Sequence, residues 1–153
     1  MPNQLDPPNQ IIFRKIKHHW KYQLGEDHFE NLELKPSEAI TTPFVKFSKN
    51  GRLRVKKGYA WDGPSGPMID DNTNMRASLV HDVLYQLMRL GELDYKQDRA
   101  LADKIFFEMC REDGMKPVRA KWALDAIRDV GVRHAKPRKE AESRWYLAPE
   151  NPS

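Results

Sequence analysis

The sequence predicts an α+β fold in which an N-terminal antiparallel β-rich part precedes three helices. Two observations lead to this prediction. Short segments that alternate apolar and polar residues, bounded by turn residues, fill residues 11–61, and apolar residues recur at helical spacing from residue 75 onward. At 153 residues the chain has the length of one domain with its own hydrophobic core.

The β-rich part contains a predicted hairpin. Residues 44–47 and 53–55 are short alternating segments on either side of Ser48-Lys49-Asn50-Gly51. Asn-Gly is a strong hairpin signal because both residues tolerate positive φ. Residues 20–24 also alternate and predict a half-buried strand. Residues 1–10, which are rich in Pro and Asn, are expected to form a flexible arm.

Residues 62–74 are predicted to form a loop because Pro and Gly alternate there too closely for regular structure. The three helices are predicted over residues 75–90, 96–113 and 117–130. Gly91 and Gly114 mark the ends of the first two, and Pro117 suits the first turn of the third. The short turn at Gly91 makes the first two helices antiparallel. The single domain is thus expected over residues 11–135, followed by a charged tail over residues 136–153.

Composition sets broad limits on function. The chain has 26 Lys and Arg residues against 22 Asp and Glu residues, and the net charge of +4 permits an anionic partner without requiring one. Cys110 is the single cysteine, so no intrachain disulfide is expected. We also expect no signal peptide and no transmembrane segment, because no apolar run has the required pattern or length.

His81 and Asp82 lie next to each other in the first predicted helix. Adjacent helical positions point about 100° apart, so the two side chains would serve neighbouring tasks. His81 would face a substrate or water, and Asp82 would face a cation. Tyr85 follows His81 at i+4 and shares its face of the helix. The alternative interpretation is that this His-Asp pair is an ordinary solvated part of a helix.

Asp103 lies in the most apolar part of the second predicted helix. Burying a carboxylate there is costly unless another group pairs with it. His81 is a candidate partner, because a carboxylate bonded to one ring nitrogen fixes the tautomer and leaves the other nitrogen free as a base. In the alternative, Asp103 lies at the edge of the helix and pairs with Lys104, Arg99 or Arg76.

The loop before the first helix could supply oxygen ligands. Ca²⁺ takes about six to eight oxygen atoms from carbonyls, carboxylates and water. Gly63 and Gly66 would let backbone carbonyls turn inward, and Asp62 and Asp82 could supply charge. One interpretation is therefore a Ca²⁺ site, and the other is a plain connector between the hairpin and the helix.

These segments resemble the secreted and parvoviral phospholipase A2 families, the viral capsid enzyme most closely. The shared pattern is a Pro-Gly loop, His81-Asp82-Val83-Leu84-Tyr85, a Gly-containing turn and Ala102-Asp103-Lys104-Ile105-Phe106. The resemblance implies that His81 activates water, that Asp103 orients His81, that Asp82 binds calcium with loop carbonyls, and that Tyr85 supports the network. The β-rich part has no counterpart in those enzymes, and Pro64-Ser65 separates the two loop glycines.

The chain as a whole resembles the DUF1353 family of uncharacterised phage and prophage proteins. Gly58-Tyr59-Ala60-Trp61-Asp62 follows that family's Gly-aromatic-x-Thr-Asp segment, with Trp61 where Thr is usual. The two later segments, His81 to Tyr85 and Ala102 to Phe106, follow its helical motifs. This resemblance implies a viral source but no established activity.

We therefore predict a phage-associated, calcium-assisted hydrolase that resembles phospholipase A2 and acts on an ester such as a phospholipid sn-2 bond. The expected setting is the virion or the host cytoplasm, with other virion proteins as partners. One alternative is a non-catalytic phage structural or host-interaction protein, in which the His-Asp-Tyr-Asp cluster is a buried polar network. Another is a hydrolase of a peptide or phosphoester bond.

The sequence gives no strong nucleic-acid signal. Arg52, Arg54, Lys56 and Lys57 make the predicted hairpin basic, but such strand charges usually form a solvated face. Strong salt dependence of DNA binding would be the sign of a nucleic-acid partner.

Overall fold

The computed structural model describes residues 11–15, 22–63 and 71–137. The expected arm over residues 1–10, Gly66 of the loop and all but the first two residues of the expected tail lie outside these ranges. The described part has the predicted α+β architecture, with antiparallel strands first and three helices after them.

The strands form two antiparallel sheets. The first has the order β1–β2–β7 and the second the order β3–β6–β5–β4. Their bounds are β1 Phe13–Lys15, β2 Tyr22–Leu24, β3 His28–Asn31, β4 Ile40–Thr41, β5 Val45–Phe47, β6 Arg52–Val55 and β7 Ala60–Trp61. In the second sheet, apolar side chains of β5 and β6 point into the core, and their polar neighbours point to solvent.

The predicted hairpin is present as β5 and β6. Val45 lies opposite Val55 and Phe47 lies opposite Leu53. Gly51 closes the turn at φ 91°. A Cβ atom on Gly51 would lie 2.3 Å from the carbonyl oxygen of Leu32. The turn therefore requires glycine both for its backbone angle and for its close approach to the backbone of Leu32.

The strand expected to be half-buried over residues 20–24 is more deeply buried than predicted. In the described part of that segment, Tyr22, Gln23 and Leu24 are all buried, because β2 is the central strand of its sheet. Gln23 is satisfied there: its amide oxygen accepts from Arg14 and its amide nitrogen donates to the carbonyl of Gly58. Alternation of polar and apolar residues thus identified the strand but not its environment.

The helices are α1 Met75–Arg89, α2 Tyr95–Glu112 and α3 Pro117–Ala135. The first two agree with the prediction to within one residue at each end. The third continues five residues past the predicted end at residue 130, since Gly131 remains helical and Pro137 is the next residue that opposes helix. None of the described helices combines the length and the apolar character that a bilayer crossing requires.

Helix α1 lies at the centre of the molecule, with 13 of its 15 residues buried. It therefore carries buried polar side chains that need partners. The indole nitrogen of Trp61 donates to the hydroxyl of Ser78 at 3.1 Å, and the hydroxyl of Tyr59 donates to the amide oxygen of Gln86 at 2.6 Å. These bonds attach strand β7 and the residues before it to α1.

Arg76, near the start of α1, is buried and binds three carboxylates. Its guanidinium lies 3.0 Å from both oxygens of Glu30 on β3, 2.8 Å from Glu112 on α2 and 3.1 Å from Asp113 after α2. Glu30 also lies 2.6 Å from the ring of His28. Burial opposes the charge of Arg76, but the bonds to Asp113 and Glu112 and the charge of Glu30 raise its pKa above the ordinary value.

Replacing Arg76 by methionine should lower the free energy of unfolding by about 3–5 kcal/mol, because Glu30 would stay buried without its guanidinium partner. Urea denaturation measures this change. Arg54→Met is the matched control, since Arg54 and its partner Asp27 are 40% and 30% exposed and such pairs contribute about 0.2–1 kcal/mol. Equal losses in the two variants would contradict the role assigned to the Arg76 network.

Candidate functional site

The structure brings His81 of α1 and Asp103 of α2 into contact. His81 Nε2 lies 2.8 Å from Asp103 Oδ1, within the distance predicted for a hydrogen bond. Asp103 is fully buried, whereas His81 keeps 7% of its surface exposed. An ionised carboxylate only accepts hydrogen bonds, so with Asp103 ionised His81 donates from Nε2, and the neutral imidazole then carries its lone pair on Nδ1.

Tyr85 completes this contact from the next turn of α1. Its hydroxyl donates to the same Asp103 oxygen at 2.6 Å, and its ring lies 4.1 Å from the ring of His81, centroid to centroid. Burial and the neighbouring Asp103 carboxylate hold the pKa of the Tyr85 phenol well above its usual range. Tyr85 therefore keeps its phenolic proton at neutral pH and donates it to Asp103, and this bond limits how Asp103 and His81 can move.

The second oxygen of Asp103 faces Arg99. The guanidinium of Arg99 lies 3.7 Å from Oδ2, one helical turn earlier on α2, and Oδ2 accepts no hydrogen bond from the described residues. The alternative partners considered for Asp103 are thus resolved. Arg99 does contribute an ion pair, while Lys104 pairs with Glu33 and Glu108, and Arg76 binds the carboxylates described above.

The residues expected to hold calcium are only partly within the described chain. Asp82 is half-buried on α1 beside His81, Asp62 is exposed just after β7, and both have interaction partners. Gly63 has a φ of 82°, the positive angle that glycine permits, and Gly66 lies outside the described residues. Within the described ranges, no group of three or more His, Cys, Asp or Glu residues is placed to hold a metal ion.

The donor chemistry nevertheless suits a hard cation. Asp62 and Asp82 would supply carboxylate oxygens and the loop would supply carbonyl oxygens, which are the ligands that Ca²⁺ prefers. Two carboxylates fall well short of the number of ligands that calcium takes, so such a site would depend on the backbone of residues 63–66 and on water.

A cleft of about 450 Å³ lies between β3 and α2, away from these residues. Ile105, Glu108, Met109 and Glu112 line it from α2, on a different face of the helix from Asp103. Neither His81 nor Asp103 borders it, so this cleft is not the entrance to the His81 contact.

Gly131 of α3 is a site residue that sequence reasoning missed. A Cβ atom there would lie 2.6 Å from the Tyr85 hydroxyl oxygen and 3.1 Å from Nη1 of Arg99. The absence of a side chain therefore lets α3 pack directly against the two groups that contact Asp103. The signal in the sequence was that helix-compatible residues follow Gly131 as far as Pro137. The helix was nevertheless predicted to end at residue 130, just before this glycine.

The chain matches a known protein family. The model of a family described as a protein of unknown function, DUF1353, matches residues 39–127. The matched range begins just before β4 and ends within α3, so it includes His81, Tyr85 and Asp103 but not Gly131. No curated protein and no solved structure matches the chain.

Replacing Gly131 by alanine should lower the free energy of unfolding by about 1–3 kcal/mol, the usual cost of overpacking. The same change in an unobstructed helix interior is favourable by about 0.8–1 kcal/mol, so the sign of the effect identifies the close approach. Thermal and urea denaturation measure it. In a Tyr85→Phe background the alanine should cost less, because the oxygen at 2.6 Å is gone. An ordinary stabilising effect of Gly131→Ala would contradict this packing.

Proposed function

The chain belongs to the DUF1353 family, and we propose that it is a phage-associated ester hydrolase whose chemistry resembles that of phospholipase A2. The supporting observation is the contact between His81 and the fully buried Asp103. In this proposal the contact fixes the tautomer of His81 and leaves its second ring nitrogen as the base.

In this proposal His81 Nδ1 accepts a proton from a water molecule as the water attacks the ester carbonyl. Asp103 stabilises the imidazolium that forms, without taking the proton itself. As the tetrahedral intermediate collapses and the ester C–O bond breaks, His81 returns this proton to the leaving alcohol oxygen. Tyr85 keeps its hydrogen bond to the same carboxylate oxygen and so fixes the orientation of His81 and Asp103. The small exposed fraction of His81 is compatible with contact to water, while Asp103 has none.

Calcium is the proposed cofactor, and a bound calcium ion would polarise the ester carbonyl and stabilise the charge that develops on its oxygen. Asp82, next to His81 in the sequence, would hold it together with Asp62 and the backbone carbonyls of Gly63 and Gly66. The oxygen-only donor set supports calcium over a softer metal.

The proposed substrate is a phospholipid ester, or another ester of similar shape, and the proposed setting is the virion or the host cytoplasm in contact with other virion proteins. Both parts rest on the resemblances drawn from the sequence motifs. A peptide or phosphoester bond would be attacked by the same base, so the substrate class has to be tested separately from the base.

A second candidate function is a non-catalytic phage protein in which the same cluster determines helix packing. The observation that favours it is the complete burial of Asp103. Its partners His81 and Tyr85 lie on α1, and Arg99 lies on α2 like Asp103 itself. Buried polar networks of this kind can specify a unique packing arrangement. The two candidates differ in whether loss of His81 changes turnover or only stability.

Replacing His81 by glutamine should reduce ester hydrolysis by about 10²–10⁴-fold, because a positioned base is lost while a polar side chain remains. The assay is fatty-acid release from mixed phospholipid vesicles, with calcium or with a chelator. Asp103→Asn should cost less, since the imidazole stays in place. His28→Gln is the matched control: His28 is also buried and also bonded to a carboxylate, but lies outside the site.

The second candidate function predicts a different outcome. His81→Gln and Asp103→Asn would then lower the melting temperature, and neither the wild type nor the variants would release fatty acid. Folded wild-type protein that is inactive both with calcium and with chelator would refute the proposed hydrolase.

Calcium should raise the melting temperature, because an ion that binds only the folded chain stabilises it by mass action, by about 2.7 kcal/mol at a hundredfold excess over its Kd. Differential scanning fluorimetry across a calcium titration measures the shift. Asp82→Asn should remove most of it. Asp125→Asn, which changes an exposed aspartate on α3, should leave it unchanged. No calcium-dependent shift in the wild type would contradict the calcium site.

A further inference from the structure

One segment of the chain carries a large excess of positive charge. Residues 39–61 contain six Lys and Arg residues and no Asp or Glu. Because the whole chain has a net charge of +4, the remainder carries more carboxylates than cations. Three of the six, Lys46, Arg52 and Arg54, lie in strands β5 and β6 of the second sheet.

The strand register places part of this charge on one surface. Across β3, β6 and β5, Phe29 lies opposite Arg54, and Arg54 lies opposite Lys46. Arg52 is the next outward residue of β6. We call these four residues, Phe29, Lys46, Arg52 and Arg54, the basic face. Their neighbours along each strand point into the core, so the basic face is the outer side of the four-stranded sheet.

An aromatic ring lies among these cations. Phe29 is 42% exposed and, with Arg52, borders the cleft between β3 and α2. The guanidinium carbons of Arg52 and Arg54 lie 5.0 and 5.8 Å from its ring centroid. Among the described residues, Arg54 is the only member of the basic face that makes an ion pair, with Asp27.

We propose that the basic face binds single-stranded nucleic acid, independently of the proposed hydrolase. Single strands bind where cations contact the backbone phosphates and exposed aromatic rings and guanidinium planes stack on bases. An open antiparallel sheet surface with an aromatic side chain suits this geometry. An anionic membrane would instead be expected to bury several apolar side chains, and Phe29 is the only one on the basic face.

The test is fluorescence anisotropy of a labelled oligothymidine of about 15 nucleotides, titrated with the full chain at several salt concentrations. The logarithm of affinity should fall linearly with the logarithm of salt concentration. Lys46→Gln or Arg52→Gln should each reduce that slope by about 0.7, the value for one lost phosphate contact on a single strand. Lys121→Gln, which removes an exposed cation of α3, is the matched control and should change neither slope nor affinity.

Phe29 tests the stacking contribution separately from charge. Phe29→Ala should weaken binding about tenfold or more with little change of slope, and Phe29→Tyr should retain it. Absence of salt-dependent binding by the wild type would overturn the proposal, as would wild-type affinity in both Lys46→Gln and Phe29→Ala. Phosphatidylglycerol vesicles form a third arm. Vesicle binding that needs Phe29 and that the oligonucleotide does not displace would assign the basic face to a membrane and also overturn the proposal.

Discussion

The buried carboxylate of Asp103 is the constraint on which the helical half of the molecule depends. A charge with no exposure to water must be compensated by nearby donors or cations: His81 and Tyr85 donate hydrogen bonds to Asp103, and Arg99 supplies an ion pair. Because both donors are on α1 and the carboxylate is on α2, these hydrogen bonds fix how the two helices face each other. Gly131 has no side chain, so α3 packs directly against Tyr85 and Arg99 at this position. One acidic residue thus relates all three helices.

A second buried charge, Arg76, fixes the position of the second sheet relative to the helices. It joins Glu30 on β3 to Glu112 and Asp113 at the end of α2. Both charged centres share α1 and α2, one near the start of α1 and the other in its middle. The site around His81 is therefore built on a helix whose position the sheet also determines, which favours a rigid arrangement of the His81 ring.

Local patterns predicted much of this architecture, and long-range contacts account for the rest. Asn50-Gly51 identified the hairpin, because turn chemistry depends on adjacent residues. The apolar neighbours of Asp103 indicated that its carboxylate needs a partner, and His81 on the preceding helix was a candidate for that reason. Nothing local indicates that Arg76 binds Glu30, 46 positions away, since that contact exists only after the sheet packs on α1. The role of Gly131 likewise depends on how α3 crosses Tyr85.

The segment between β7 and α1 has both of its ends fixed by the scaffold. At one end Trp61 donates a hydrogen bond to Ser78, and at the other end Asp71 forms an ion pair with Arg119 of α3. When the ends of a segment are held independently of its sequence, doubling its length adds only about 0.6 kcal/mol to the entropic cost of closing it. Insertions between Asp62 and Asp71 should therefore leave the framework on either side of this segment intact, at a small cost in stability.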